Sequence, residues 1–286
     1  MQPNPNAVIV GGGVIGLSIA YFLASKYKVR CLLIERDSIG AHASGTAAGE
    51  LSPIVRNTLN PELIRFGLEG LAMHREFAPS LIEQTGVDYQ LSDTPTMLPA
   101  MNQNEMTLLK NKMDYHARFG VSADWIEQDE LRSRGAWLPD STLGAFLLTE
   151  GQLETYQFIL ALKKAAELQA VKFRYGEVTG ILTAYNEIKG VQLGNKSIEA
   201  DIVILANGPW SQLSGSWIDY PIPVTPLKGQ ILYLSPPFPT PPHSIFHGGS
   251  YVMYKPSGNL IIGTTEEDVG FDANPTPEGQ ENIVHA

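Results

Sequence analysis

Six residues near the N-terminus constrain the fold more than anything else in the chain. Gly11-Gly12-Gly13-Val14-Ile15-Gly16 sets glycines in the GxGxxG spacing, just after the β-branched apolar run Ala7–Val10. The helically spaced Val14–Ala24 (VIGLSIAYFLA), free of proline, begins within it. Gly11 permits a tight turn, Gly13 lets backbone approach a pyrophosphate, and Gly16 lets the helix pack against the strand. Unpaired N–H groups and the dipole at the helix start favour an anion there. A second strand, Val29–Glu35, completes a strand–helix–strand unit of crossover size. It ends in Glu35, nineteen residues beyond Gly16, where a carboxylate accepts hydrogen bonds from a ribose. GxGxxG alone is a weak signal. With both strands and Glu35 it reads as an adenine-dinucleotide site, without saying which dinucleotide.

Composition narrows the partners. The 286 residues are 43% apolar, enough for one large domain or two intimately joined ones. With 20 basic against 30 acidic side chains, a nucleic-acid partner is disfavoured, because phosphate binding takes clustered Lys and Arg. The single cysteine, Cys31, excludes a disulfide framework and a Cys-rich metal site, and fits a reducing compartment. His243 and His247 lie in a proline- and glycine-rich segment with no helix to align them, so no metal is expected. No basic residue precedes the first apolar run, which breaks at glycine, so neither a signal peptide nor a spanning helix is read there. The expectation is a cytoplasmic protein with no membrane evident.

Beyond Glu35 comes a small-residue loop, Gly40–Gly49, then helical stretches over Pro61–Gln84 and Asn104–Phe119 with an extended Val87–Pro99 between them. Leu153–Leu168 reads as a helix and Val171–Arg174 as a strand; Val178–Thr183 and Lys189–Leu193 read as a hairpin. The apolar run Ile202–Ala206 stops at Asn207-Gly208-Pro209. Eight prolines between Pro221 and Pro242 rule out helix there. Ile231–Leu234, Tyr251–Tyr254 and Leu260–Gly263 are then strands of an antiparallel region, with Pro256–Asn259 as a turn. A nicotinamide dehydrogenase would need further parallel strands soon after Glu35, and none follows there.

Several segments carry a resemblance. Gly11–Ala24, the loop Ser44-Gly-Thr-Ala-Ala-Gly49, Leu205-Ala-Asn-Gly-Pro-Trp-Ser211, Val224-Thr-Pro-Leu-Lys-Gly-Gln230 and Leu260-Ile-Ile-Gly-Thr-Thr-Glu-Glu-Asp-Val-Gly-Phe-Asp272 follow in order. Together they resemble the FAD-dependent D-amino-acid oxidase superfamily, and within it most the glycine oxidase family of thiamine biosynthesis. The resemblance implies an α/β fold (α+β overall), a Rossmann-like FAD-binding layer interleaved with an antiparallel β-sheet substrate domain. The FAD-binding domain would comprise residues 1–88 and 150–220, and the substrate domain residues 89–149 and 221–286. FAD would be bound by Gly11, Gly13, Val14, Ile15, Gly16, Glu35 and Arg36, with Ser44, Thr46, Ala47, Ala48 and Gly49 wrapping the flavin. The backbone of Val178 would meet adenine, and Ala206, Asn207, Gly208 and Trp210 would lie against the cofactor. A histidine link to FAD would fall where Thr46 stands, so His42 is read as a loop histidine.

In that family the flavin takes hydride from the α-carbon of an amino acid, and oxygen reoxidises it to give hydrogen peroxide. The implied partners are a small amino-acid substrate and oxygen; a homo-oligomer is left open, since no apolar helix face marks an interface. Tyr251 matches a substrate-contacting tyrosine, Phe246 offers an apolar wall, and Glu50, just after the flavin loop, can line the pocket. No protein base is needed if the amine binds neutral. One departure stands out: the resemblance implies a carboxylate-binding arginine in a Gly-Leu-Arg-Pro-type segment capping the flavin. The last arginine here is Arg174, and only lysines, Lys228 and Lys255 among them, follow it. A lysine lacks the bidentate fork. The sequence therefore predicts weak or no oxidase turnover from these residues alone, with a quinone-linked dehydrogenase or a catalytically silent flavin-binding fragment as alternatives. The proline-rich Pro236–Pro242 stretch reads as a rigid surface loop.

Overall fold

Every position of Ala7–Val10 (β1) is apolar because the strand is covered on both faces. In the computed structural model it lies between Cys31–Glu35 (β2) and Ile202–Leu205 (β11), in a parallel sheet ordered β11-β1-β2-β7 with Lys172–Tyr175 (β7). The structure describes residues 4–55, 59–133, 137–238, 240 and 243–286. Met1–Pro3, read above for a targeting signal, lie outside these, as do Pro239, Pro241 and Pro242 of the proline-rich stretch.

Side chains alternate across a strand, so the two faces of the parallel sheet meet different layers. Ala7, Ile9 and Leu33 join the apolar cluster built by Val14–Tyr27 (α1) and Thr155–Leu168 (α6) through Leu17, Ala20, Ile159 and Leu162. Val8, Val10 and Ile34 join the cluster of Val178–Ala184 (β8), Glu187–Leu193 (β9) and Lys196–Glu199 (β10), an antiparallel three-stranded sheet. Helix α1 runs three residues past its predicted end. It closes at Lys28, whose left-handed φ of 55° lets its N–H reach the Leu23 carbonyl.

The second large layer is an eight-stranded sheet. Its order is Ile231–Leu234 (β12), Leu260–Gly263 (β15), Ser250–Tyr254 (β14), Ser244–His247 (β13), Ser92–Ala100 (β4), Gly144–Gln152 (β6) and Glu50–Leu51 (β3). Ala123–Glu127 (β5) shares one edge of β6 with β3. Pairing is antiparallel throughout except between β13 and β4. Leu98, Phe146, Leu148, Phe246, Tyr251 and Met253 form the sheet's principal core together with Ile54 and Ile64. Pro95 and Pro99 are tolerated in β4 because its second edge pairs only at Thr96 and Met97.

Helix Pro61–Thr85 (α3) starts where Asn60 Oδ1 accepts the Glu62 and Leu63 amides. It leaves Leu63, Phe66 and Met73 exposed, an apolar face that the sequence reading did not find. Gln103–Ala117 (α4) packs on β4, β5 and β6. Four shorter helices complete the set: Ala43–Thr46 (α2), Gln128–Ser133 (α5), Ser211–Ser214 (α7) and Pro277–His285 (α8). No helix among the described residues is long and apolar enough to cross a membrane.

Candidate functional site

A cavity of about 450 Å³ opens at the C-terminal ends of β1, β2 and β11, where parallel sheets of this kind place ligands. Its floor is the glycine turn. Gly11 has φ +114°, and a Cβ there would collide with the Ala206 carbonyl, so turn and strand end touch backbone to backbone. A Cβ at Gly16 would collide with the Gly11 carbonyl, which fixes how closely α1 sits on β1. Gly13 is the N-cap of α1 and, as a glycine, offers no capping side chain of its own. The Val14 amide is taken by Ser44 Oγ at 3.1 Å, tying the later loop to the helix start. Gly11, Gly13 and Ile15 line the cavity, whereas Val14 and Gly16 support it from behind.

The wall beside that turn carries charge. Glu35 Oε2 accepts the Gly12 amide at 2.6 Å and Oε1 accepts the Asp37 amide at 2.8 Å. A carboxylate oxygen has a second lone pair, so both remain able to accept a hydroxyl. The Arg36 guanidinium lies over the Trp210 indole at 4.4 Å, and the His42 ring meets that indole edge-on at 4.7 Å. Asp37 bonds both side chains, His42 at 2.7 Å and Arg36 at 3.2 Å, and these bonds hold its carboxyl below the usual range. Val178, Ala206, Asn207 and Gly208 also line it. Asn207 donates to Ser214 Oγ at 2.9 Å, while its buried Oδ1 has no partner among the described residues.

From Ser44 the loop leaves the cavity for the second sheet. Thr46 and Ala47 are exposed, Thr46 bonds back to the His42 carbonyl, and Thr155 Oγ1 donates to the Ala47 carbonyl. Ala48 packs against the cluster that holds Phe246 and Tyr251. Gly49, at φ +87°, passes its carbonyl to the Leu153 amide. Thr46, Ala47, Ala48 and Gly49 therefore lie between the cavity and the sheet face rather than in the cavity wall.

On that face Phe246 and Tyr251 are register partners, with rings stacked 5.2 Å apart at 26°. Glu50 is not with them. It sits on edge strand β3, separated from Tyr251 by β13, β4 and β6. Its acidic neighbour is Glu150, which sequence reasoning missed and which is 2% exposed. Burial pushes the Glu150 carboxyl up to about 8, with a smaller upward push from Glu50. Asp37 and Phe271, which stacks on Trp210, were also missed. Only Asp37, following Glu35-Arg36 directly, carried a sequence signal.

A helix start without an N-cap side chain, a glycine turn, an acidic strand end and a buried amide oxygen without a partner among the described residues fit the adenine dinucleotide that the sequence resemblance implies. The family described as DAO, FAD dependent oxidoreductase, matches residues 6–286. The bifunctional protein ThiO/ThiG of Synechocystis is 27% identical over 292 residues, covering 99% of this chain and 42% of the relative. Glycine oxidase of Geobacillus kaustophilus is 27% identical over 290 residues, covering 100% of this chain and 76% of the relative. The chain thus spans less than half of the first relative and about three-quarters of the second. The crystal structure of glycine oxidase from Bacillus cereus superposes with a TM-score of 0.89 at 26% identity, over 98% of this chain and 76% of that one. Matched by that family over residues 6–286, this chain belongs to the DAO family of FAD-dependent oxidoreductases.

Proposed function

We propose that these residues bind FAD across both layers and serve an amino-acid oxidase of the glycine oxidase type. The substrate would be glycine or another small D-amino acid or secondary amine, and oxygen the electron acceptor, yielding an imine and hydrogen peroxide. The names of the relatives, glycine oxidase and ThiO/ThiG, support a place in making the thiazole of thiamine. One observation carries the reading: the loop tied to the helix start at Ser44 runs to the sheet face that bears Tyr251 and Phe246.

When bound, FAD supplies the acceptor for the α-carbon hydride and the route of the electron pair to oxygen. The chain's own task is to hold and orient. The α1 N-terminus and Gly13 would take the pyrophosphate, and Glu35 the ribose hydroxyls. Thr46–Gly49 would run along the flavin, a role that belongs to this reading. The Tyr251 hydroxyl would donate to the substrate carboxylate, and the Phe246 ring would exclude water beside it. An amine bound neutral needs no protein base; its N–H proton leaves to solvent as the imine forms.

The test is an absorbance spectrum of the chain reconstituted with FAD, before and after anaerobic addition of glycine. Slow bleaching of the flavin band is the expected result, since no arginine follows Arg174 to clamp the carboxylate; fast bleaching would overturn the expectation of weak turnover. A band unchanged by glycine, sarcosine and D-alanine would refute amine oxidation. No flavin band after reconstitution would refute the cofactor placement.

A further inference from the structure

Phe271 lines no part of the cavity, yet it stacks on a residue that does. Its ring lies 5.4 Å from the Trp210 indole at an interplanar angle of 10°. Phe271 comes from the segment between β15 and α8, remote in sequence from every residue of the cavity wall.

That segment is a closed loop. The Gln230 amide donates to Thr265 Oγ1 at 3.0 Å, at one end of the loop. At the other end the Thr276 amide donates to Gln230 Oε1 at 2.8 Å, and Gln230 Nε2 donates to Thr276 Oγ1 at 3.0 Å. Gln230 itself is 8% exposed and its two threonine partners are half-buried, so the fastening is shielded from water in part. A loop with both ends held together presents its middle as a rigid tip. The tip carries Phe271, 48% exposed even with its stacking partner in place.

Without Phe271, the ring contacts left to the Trp210 indole among the described residues would be those of Arg36 and His42, both of which line the cavity themselves. Ordering a side chain before binding removes that entropic cost from the binding step. We propose that the Thr265–Thr276 loop is a clasp on the FAD cavity. Phe271 is its positioning residue, acting through Trp210, so that cofactor retention depends on a residue outside the cavity. The inference rests on the placement of FAD given above.

The experiment titrates FAD into the apoprotein of the full chain, following flavin fluorescence, and compares Phe271→Ala with Phe271→Tyr. The alanine variant is expected to bind FAD roughly three- to tenfold more weakly, the range of one aromatic pair, while tyrosine stays within about twofold of the parent. The thermal midpoint of the alanine apoprotein stays near the parent's, as a purely structural role would not allow. Parental affinity in the alanine variant overturns the clasp and leaves the cofactor placement standing. Should that variant fail to fold, Phe271→Leu, which fills the volume without the aromatic plane, decides in the same way. A parent chain that binds no FAD overturns both.

Discussion

Glu150 and Lys112 hold Val55 from opposite ends of its backbone: Glu150 Oε1 accepts the Val55 amide at 3.3 Å, and Lys112 Nζ donates to the Val55 carbonyl at 3.0 Å. The same carboxylate oxygen takes the Ile54 amide at 2.9 Å, and Ile54 is buried in the cluster containing Phe246 and Tyr251. Two ionisable side chains thus fix the segment that follows the flavin loop. Burial pushes Glu150 up to about 8 and Lys112 down to about 8, and in each case desolvation outweighs their mutual attraction.

This arrangement predicts a pH signature. Between the ordinary carboxylate range and about 8, the unfolded chain has released the Glu150 proton and the folded chain still holds it. Stability therefore falls as pH rises through that window, by an amount on the order of a few kcal/mol. Above about 8 the lowered Lys112 works the other way, since the folded chain has lost a proton that the unfolded chain retains. Glu150→Gln keeps an acceptor for both amides and removes the titration. Melting temperatures from about pH 5 to 8 should fall for the parent and stay level for the variant. A parent curve that rises across this range would mean that Glu150 is ionised in the folded state.

The glycine turn separates stability from cofactor binding. A methyl at Gly16 collides with the Gly11 carbonyl, and backbone cannot step aside as a side chain can. Gly16→Ala should cost about 2 kcal/mol or more of stability, seen as a lowered melting temperature of the apoprotein. A methyl at Gly13 meets only Ser44 Oγ, at 3.0 Å. Gly13→Ala should keep the fold and, if the proposed placement holds, weaken FAD binding by roughly tenfold or more, because the added atom would lie where that placement brings the pyrophosphate. Equal losses of stability in the two variants would contradict this division.

Glu35 tests the acidic wall in the same titration. Glu35→Gln leaves a carbonyl for one of the two amides that Glu35 now accepts, and turns an NH₂ toward the other. The mismatch and the lost charge should weaken FAD binding by roughly tenfold, the scale of one hydrogen bond to a charged group. Unchanged affinity would remove Glu35 from the cofactor site.

The parts legible in the sequence are those written locally. The glycine spacing, the two-sided apolar strand β1 and the acidic end of β2 lie within the first 35 residues, and the structure brings them together as read. What escaped depends on distant pairing. Strand β6 is central to the second sheet, yet its Gly144–Gln152 run was assigned no element, because Ala145–Leu148 alone does not distinguish strand from helix. Strand β13 is four residues long and was missed for the same reason. Glu50 was grouped with Tyr251 by its place after the flavin loop, and only the strand order shows three strands between them. Phe271 reaches Trp210 across sixty-one positions of sequence through a loop whose closure by Gln230 has no local signature.

Tyr251 offers the sharpest test of the substrate face, because the structure provides two ways to disturb it. Tyr251→Phe removes the hydroxyl and leaves the ring stacked on Phe246. If that hydroxyl binds the substrate carboxylate, KM for glycine should rise about tenfold or more with kcat little changed, the pattern of lost uniform binding. Gly263→Ala leaves the hydroxyl in place and displaces it: a Cβ at Gly263 would lie 2.6 Å from the Tyr251 hydroxyl oxygen and 2.7 Å from its ring carbon Cζ. The ring must then shift, so this variant should raise KM as well, with an unchanged flavin spectrum showing that the cofactor site is intact. Steady-state kinetics of both FAD-loaded variants, measured against the parent, provide the comparison. A rise in both identifies the position of the hydroxyl as what the substrate reads. A rise in Gly263→Ala alone would mean that the ring shapes the pocket and the hydroxyl binds nothing there. No change in either would make Tyr251 a core residue of the sheet, and the search for the carboxylate ligand would move to the lysines that follow Arg174.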